Sequence, residues 1–190
     1  MSTSAIPTHH EAMERIQLHV GRINQNAARI DMDLTAILAL LIAGPNLAIA
    51  QAIFKNEQAS AKLSFLERAL AVVDWPGGKR LLSAIKRINE RRNRMSHSSA
   101  YSHIDNIAKI QEHYTVREKR NYENEPIALG ELEHWETCAE VVSLVTLALA
   151  RQHEPLDRKP EPREIALGFF TDDPNGRIRK AIDDILPAVR

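Results

Sequence analysis

Between residues 13 and 41 the apolar side chains Met13, Ile16, Val20, Ile23, Ala27, Ile30, Leu34, Ile37 and Leu41 recur at alternating steps of three and four. A strand would repeat every second residue, so this spacing selects an α-helix with one continuous apolar seam. At about 1.5 Å per residue such a helix reaches about 45 Å, the length of a bundle's spine or of one half of a dimer interface. A seam of that length needs partner helices. Gly21 lies inside it and costs about 1 kcal/mol relative to Ala, too little to interrupt the helix.

The rest of the chain supplies those partners. Pro45 suits the start of a second helix over residues 46–55. A third is expected over 60–74, with Leu63, Leu66, Leu70 and Val73 at helical spacing and Trp75-Pro76-Gly77-Gly78 as its stop. The fourth runs over 79–96, its buried side formed by Leu81, Leu82, Ile85, Ile88 and Met95. Residues 104–111 suggest a short helix or turn. Residues 113–127, with Tyr114, Val116, Tyr122 and Ile127 among charged neighbours, suggest a small β-hairpin. A strong helix follows over 131–152, with Leu132, Trp135, Cys138, Ala139, Val142, Val145 and Leu149 on one side. Three prolines and alternating charges over 154–163 mark an extended linker. Beyond it, Phe169-Phe170 and the spacing of Ile178, Ile182, Ile185 and Leu186 describe a tail that docks on the body or on a partner. The expected fold is all-α, an antiparallel helical bundle with a small β-hairpin and a C-terminal appendage. Its expected parts are a flexible N-terminus (1–9), a helical domain (10–152), a linker (153–164) and the tail (165–190).

Composition limits the chemistry. A chain of 190 residues, 44% hydrophobic, suits one domain with a substantial core. With 25 basic and 25 acidic side chains the net charge is zero, which argues against polyanion binding by the whole surface and leaves room for a local patch. The single Cys138 excludes an internal disulfide and a Cys-rich metal site, and it fits a reducing compartment. The N-terminus lacks a basic segment followed by an apolar core, so the cytoplasm is the expected location. The most apolar stretch, residues 34–54, is interrupted by Gly44-Pro45-Asn46 and Gln51; two core helices are expected there rather than a membrane span.

The run Arg91-Arg92-Asn93-Arg94-Met95-Ser96-His97 closes the fourth helix. At about 100° per residue, Arg92 falls in the middle of the stripe set by Leu81, Ile85, Ile88 and Met95. Patterning alone would put a leucine there. An unpaired buried charge costs several kcal/mol, so Arg92 must be paired or must face a cleft where an anion can reach it. Asp31, about 70° from the centre of the first helix's seam, is a candidate partner. His97 would lie about 140° around from Arg92 on an unbroken helix, so the two converge only if the helix ends near Ser96 or if a second subunit completes the site. Lys79, Arg80, Lys86, Arg87, Arg91, Arg92 and Arg94 face a single acid, Glu90, within this helix, a local excess suited to a phosphate backbone. An arginine-rich helix is, however, most often a solvated face, and a histidine beyond a helix end is often a cap. His97 is the only histidine here with an arginine five to seven residues before it.

The string Arg92-Asn93-Arg94-Met95-Ser96-His97 resembles the motif of the HEPN superfamily, helical "higher eukaryotes and prokaryotes nucleotide-binding" domains. Their mark is an arginine, four to six residues, then a histidine, commonly Arg-Asn-x-x-(Ala or Ser)-His. The resemblance covers about residues 10–152 and implies a metal-independent endoribonuclease, a toxin or phage-defence effector, whose paired motifs meet across a two-fold homodimer. It would make His97 the general acid or base for attack of a ribose 2′-hydroxyl on the adjacent phosphorus. Arg92 would stabilise charge on the phosphoryl oxygens, and Asn93 and Ser96 would orient these groups. Lys86, Arg87, Arg91 and Arg94 would hold flanking phosphates of RNA. The implied products carry a 2′,3′-cyclic phosphate and a 5′-hydroxyl, with no cofactor. A cognate antitoxin or regulatory protein is a further implied partner. Toxins of the superfamily paired with a nucleotidyltransferase antitoxin often carry tyrosine two residues after the histidine; here Ser99 stands there and Tyr101 follows.

Other candidates are weaker. His9-His10 lacks further ligands nearby, and His103, His113 and His134 show no metal-like spacing, so no metal is expected. No Gly-rich phosphate loop, nucleophile elbow or Cys-x-x-Cys pair occurs. Trp135 reads as core, and Asp172-Asp173 and Asp183-Asp184 read as solvated acids.

Overall fold

The computed structural model describes residues 9–43, 47–73, 75, 77–96, 98–102, 114–118, 128–152 and 160–188. The elements in chain order are α1 (His9–Ala43), α2 (Leu47–Phe54), α3 (Ala59–Leu70), α4 (Gly78–Ser96), β1 (Ser98–Ser102), β2 (Tyr114–Glu118), α5 (Leu129–Arg151), α6 (Pro162–Phe169) and α7 (Arg177–Ile185). The class is all-α, with one short two-stranded ladder. Among the described residues no helix is long and apolar enough to cross a membrane.

The seam of α1 is buried within its own chain. Ile16, Ile23, Ala27, Ile30, Leu34 and Ile37 are each at most 1% exposed. Their main neighbour is α5. Burial of each large side chain contributes roughly 1.5–3 kcal/mol, which offsets part of the entropy lost in fixing so long a helix. Ion pairs flank the apolar contact: Arg15 to Glu133 at 3.0 Å and Arg22 to Glu136 at 2.8 Å. Further along, Thr146 Oγ1 donates to Asp33 Oδ2 at 3.2 Å. Partners ascend together along both helices, so α1 and α5 run parallel. The seam is therefore occupied within its own chain, as the spine of the bundle.

The antiparallel packing expected of the bundle holds around α4. Residues 58–64 of α3 and its approach face 89–93 of α4, and residues 67–71 face 79–87. On the other side Arg91 pairs with Glu131, and Arg87 lies 5.4 Å from the Trp135 ring centre. The start of α4 depends on glycine. A Cβ at Gly78 would collide with Leu70 and Trp75, and one at Gly77 would collide with the ring of Pro162. The pair thus lets α4 begin hard against the end of α3 and the start of α6.

Of the residues expected to form a linker, the last three open α6, because Pro162 fits the first helical turn and the Glu161 side chain accepts from Arg163 N at 3.1 Å; residues 153–159 lie outside the described residues. The expected tail docks on the body: Ala166, Ala181, Ile182, Ile185 and Leu186 are buried among residues of α1, α4 and α5. Of the region expected to form a hairpin, residues 114–118 pair antiparallel with the preceding 98–102, with Ala100 opposite Val116. The expected elements at 104–111 and the part of the hairpin beyond Glu118 lie outside the described residues, as do residues 1–8.

The buried side chains fall into two clusters. The larger runs from Ala27 along α1 and takes in α3, most of α4, α5 and the C-terminal helices. The smaller contains Ala12, Ile16 and Ile23 of α1, Met95 at the end of α4, and Leu129 and Leu132 of α5. The ladder lies beside α1 and α4.

Candidate functional site

Arg92 is half-buried, at the place where the stripe of α4 crosses from one cluster to the other. Ile88, one turn earlier, belongs to the larger cluster, and Met95, one turn later, to the smaller. The position that the helical wheel puts at the centre of the apolar face falls in the gap between them. A groove of about 630 Å³ between α3 and α4 reaches it there. The Arg92 Nε and Nη2 donate to Asn93 Oδ1 at 3.2 and 2.8 Å. A guanidinium has five N–H donors, and no carboxylate pairs with this one among the described residues. Its charge is available to an anion in the groove.

The same groove receives Asn93 and Lys86 from α4, together with Asn89 and Glu90. Gln58, Ser60, Ser64 and Glu67 line the opposite wall. Amides and hydroxyls therefore surround the arginine. The wall is not uniformly basic, since Glu67 and Glu90 stand in it with Lys86 and Arg92.

The expected basic patch divides into two faces. Lys86, Arg92 and Asn93 turn toward α3. Arg87, Arg91 and Arg94 line a shallow depression with Trp135 on the α5 side. Several of these charges are matched by acids from distant parts of the chain. Lys86 Nζ sits 3.0 Å from Glu67 Oε2, Arg80 pairs with Glu161, and Arg91 pairs with Glu131 while lying 5.1 Å from the Trp135 ring centre. Arg87 donates to the backbone oxygen of Asp184 at 2.7 Å and to its carboxylate at 3.1 and 3.2 Å. Burial works against charge on Asp184, but hydrogen bonds from His134 and Arg87 prevail and hold its carboxyl below the usual range. The excess counted within one helix is thus largely compensated between helices. Glu67, Glu131, Glu161 and Asp184 carry no local sequence signal of that role; the equal totals of acids and bases were the one general hint.

Asp31 does not support Arg92. Its Oδ2 accepts from Lys62 Nζ at 2.9 Å, and its backbone oxygen accepts from the same ammonium at 3.3 Å. Lys62 lies on α3 among apolar residues, 2% exposed, and no more local partner than Asp31 was evident from its own helix. His97 lies between the last residue of α4 and the first of β1, outside the described residues; for Ser96 the backbone alone is described.

Trp135 is not fully core. It bridges the two clusters and offers its face to Arg87 and Arg91. The thiol of Cys138 is buried, and burial first, then the charge of Asp184, push it up to about 12 despite Arg87, so it does not act as a free nucleophile at neutral pH. Comparison of the chain with family models, curated proteins and solved structures gives no match. Any assignment of activity rests on the site itself.

Proposed function

We propose that this chain is a HEPN-like, metal-independent endoribonuclease acting as a cytoplasmic homodimer, a toxin or phage-defence effector held in check by a cognate antitoxin or regulatory protein. The observation that carries this reading is the end of α4 at Ser96, with extended backbone resuming at Ser98. An unbroken helix would turn His97 about 140° away from Arg92, and termination at Ser96 removes that constraint. The second support is Arg92 itself, half-buried in a polar groove, where its guanidinium donates to the neutral Asn93 amide and pairs with no carboxylate among the described residues.

In this mechanism His97 takes the proton of a ribose 2′-hydroxyl, or delivers one to the leaving 5′-oxygen, its counterpart on the second copy serving the other step. Arg92 stabilises the charge on the phosphoryl oxygens in a site of reduced dielectric, and Asn93 holds the guanidinium in place. Ser96 orients the histidine. Lys86, Arg87, Arg91 and Arg94 contact flanking phosphates, Lys86, Arg87 and Arg91 by exchanging an acid for RNA.

The test is incubation of purified protein with single-stranded RNA without added divalent ions. Fragments should end in 2′,3′-cyclic phosphate and 5′-hydroxyl, and Arg92→Ala or His97→Ala should lower the rate by about 10²-fold or more. The Arg92→Ala variant should retain its fold within about 0.5 kcal/mol, because its side chain has no buried ionic partner among the described residues. Cleavage that persists in both variants, or that leaves 3′-hydroxyl ends, removes the mechanism.

The commitment of Arg80, Lys86, Arg87 and Arg91 to acids favours a second reading, a non-catalytic HEPN-like module that binds RNA or a nucleotide, or mediates protein interaction. Salt-sensitive RNA binding without turnover would select it.

A further inference from the structure

On the far side of α5 from α1, three donor atoms of different chemistry converge. His134 and Cys138 stand four residues apart on α5, so their side chains project from one face. Asp184 reaches them from α7. The Nε2 of His134 is 3.1 Å from Asp184 Oδ2 and 3.6 Å from Cys138 Sγ. All three donor atoms lie within 4.8 Å of one another. One ring nitrogen faces both the thiol and the carboxylate, which excludes a relay in which each partner takes a different nitrogen.

We propose that His134, Cys138 and Asp184 form a zinc site that fastens α7 to α5, with water as the fourth ligand. Tetrahedral zinc, with Zn–N and Zn–O near 2.0–2.1 Å and Zn–S near 2.3 Å, sets N···O at about 3.3 Å and N···S at about 3.6 Å. The two edges at His134 Nε2, 3.1 and 3.6 Å, lie close to these values, and the third, between Cys138 Sγ and the carboxylate, is within 4.8 Å. The donor set of one nitrogen, one sulfur and one oxygen is that of a borderline-soft cation. Cys138 is fully buried while Asp184 is exposed, so the site opens to solvent on the carboxylate side, where water and the ion enter. The thiol proton leaves to solvent as the thiolate binds. Arg87 anchors Asp184 from outside: it donates to the backbone oxygen at 2.7 Å and to Oδ1 and Oδ2 at 3.1 and 3.2 Å, and a metal would take Oδ2 from the second of these while Oδ1 keeps the first. Ligating carboxylates are commonly held in this way by an outer hydrogen bond. In the sequence, His134 pairs with no other histidine at ligand spacing, and the third ligand comes from a tail fifty residues on.

The site is separate from the groove at Arg92 and its test does not depend on cleavage. Full-length protein stripped of metal is titrated with Co²⁺ and, in competition with a chromogenic chelator, with Zn²⁺. One equivalent should bind, Co²⁺ should give a near-ultraviolet thiolate charge-transfer band, and Zn²⁺ should raise the melting temperature. Cys138→Ser should abolish the band and weaken Zn²⁺ by more than the roughly 10- to 100-fold that loss of an outer partner costs. Asp184→Asn should abolish the thermal shift. His9→Ala with His10→Ala should change none of these readings, which separates the site from adventitious N-terminal binding. Absence of the charge-transfer band in the wild-type protein, or equal Zn²⁺ affinity in wild type and Cys138→Ser, overturns the proposal and leaves a hydrogen-bonded contact of Asp184 with His134 and Arg87.

Discussion

Lys62 and Asp31 offer a quantitative test of the packing, because the two partners are unequally buried. The side chain of Lys62 is 3% exposed and that of Asp31 is 33% exposed. Asp31→Ala strands an ammonium in the core, a change that costs about 3–5 kcal/mol where no relaxation occurs. Lys62→Met keeps the aliphatic volume and leaves the carboxylate on a side chain that is one-third exposed and can turn to water, so about 1 kcal/mol is expected. The expected gap of about 2–4 kcal/mol corresponds, at a urea slope of about 2 kcal/mol per molar, to a midpoint difference of about 1–2 M. Urea unfolding followed by far-ultraviolet circular dichroism measures it. The double variant should be little worse than Lys62→Met alone, since removing the acid is harmless once the ammonium is gone. Combination of Asp31→Ala with Arg92→Ala should be additive. If Lys62→Met costs as much as Asp31→Ala, or if Asp31 couples to Arg92 instead, the assignment of Asp31 to Lys62 is wrong.

Two further outcomes follow from other sites. Gly78→Ala should destabilise by about 1–3 kcal/mol through collision with Leu70 and Trp75, and a smaller residue at position 70 should recover part of the loss in the same urea assay. Asp33 is held above its usual carboxyl range by burial, which outweighs the Thr146 hydrogen bond and the charge of Arg151. The folded state therefore binds the proton more tightly than the unfolded state, and stability falls as pH rises through the window above the ordinary value near 3.8. Asp33→Asn removes that dependence, so its stability relative to wild type should improve between pH values of about 3 and 6; a relative loss over that range refutes the assignment.

The helices were legible because their periodicity is a local property. The seam of α1, the leucines of α3 and the stripe of α4 each lie within one element, and the boundaries fall close to the expected residues. β1 was not legible. Its sequence, Ser98-Ser-Ala-Tyr-Ser102, has no alternating apolar pattern, and its identity as a strand comes from pairing with 114–118. Arg92 was legible as an anomaly on the wheel, but the wheel treats the core as continuous and cannot show a gap between clusters. The fate of the basic patch was hidden for a different reason: Lys86, Arg87 and Arg91 find their acids 19, 97 and 40 residues away by subtraction of residue numbers, beyond the reach of any helical offset. The same limit concealed Asp184 beside His134 and Cys138.

The division of the interior into two clusters has a kinetic consequence. The first turns of α1, the last turn of α4 and the first turns of α5 share Ala12, Ile16, Ile23, Met95, Leu129 and Leu132, a much smaller apolar store than the remainder. Such a unit can open as a foldon while the larger one stays closed, and its amides should exchange with solvent deuterium faster and together. Arg92 stands on the border of the two units. A ligand that binds only when both are closed therefore slows exchange in the smaller unit by mass action, making the end of α4 a reporter of occupancy in the groove.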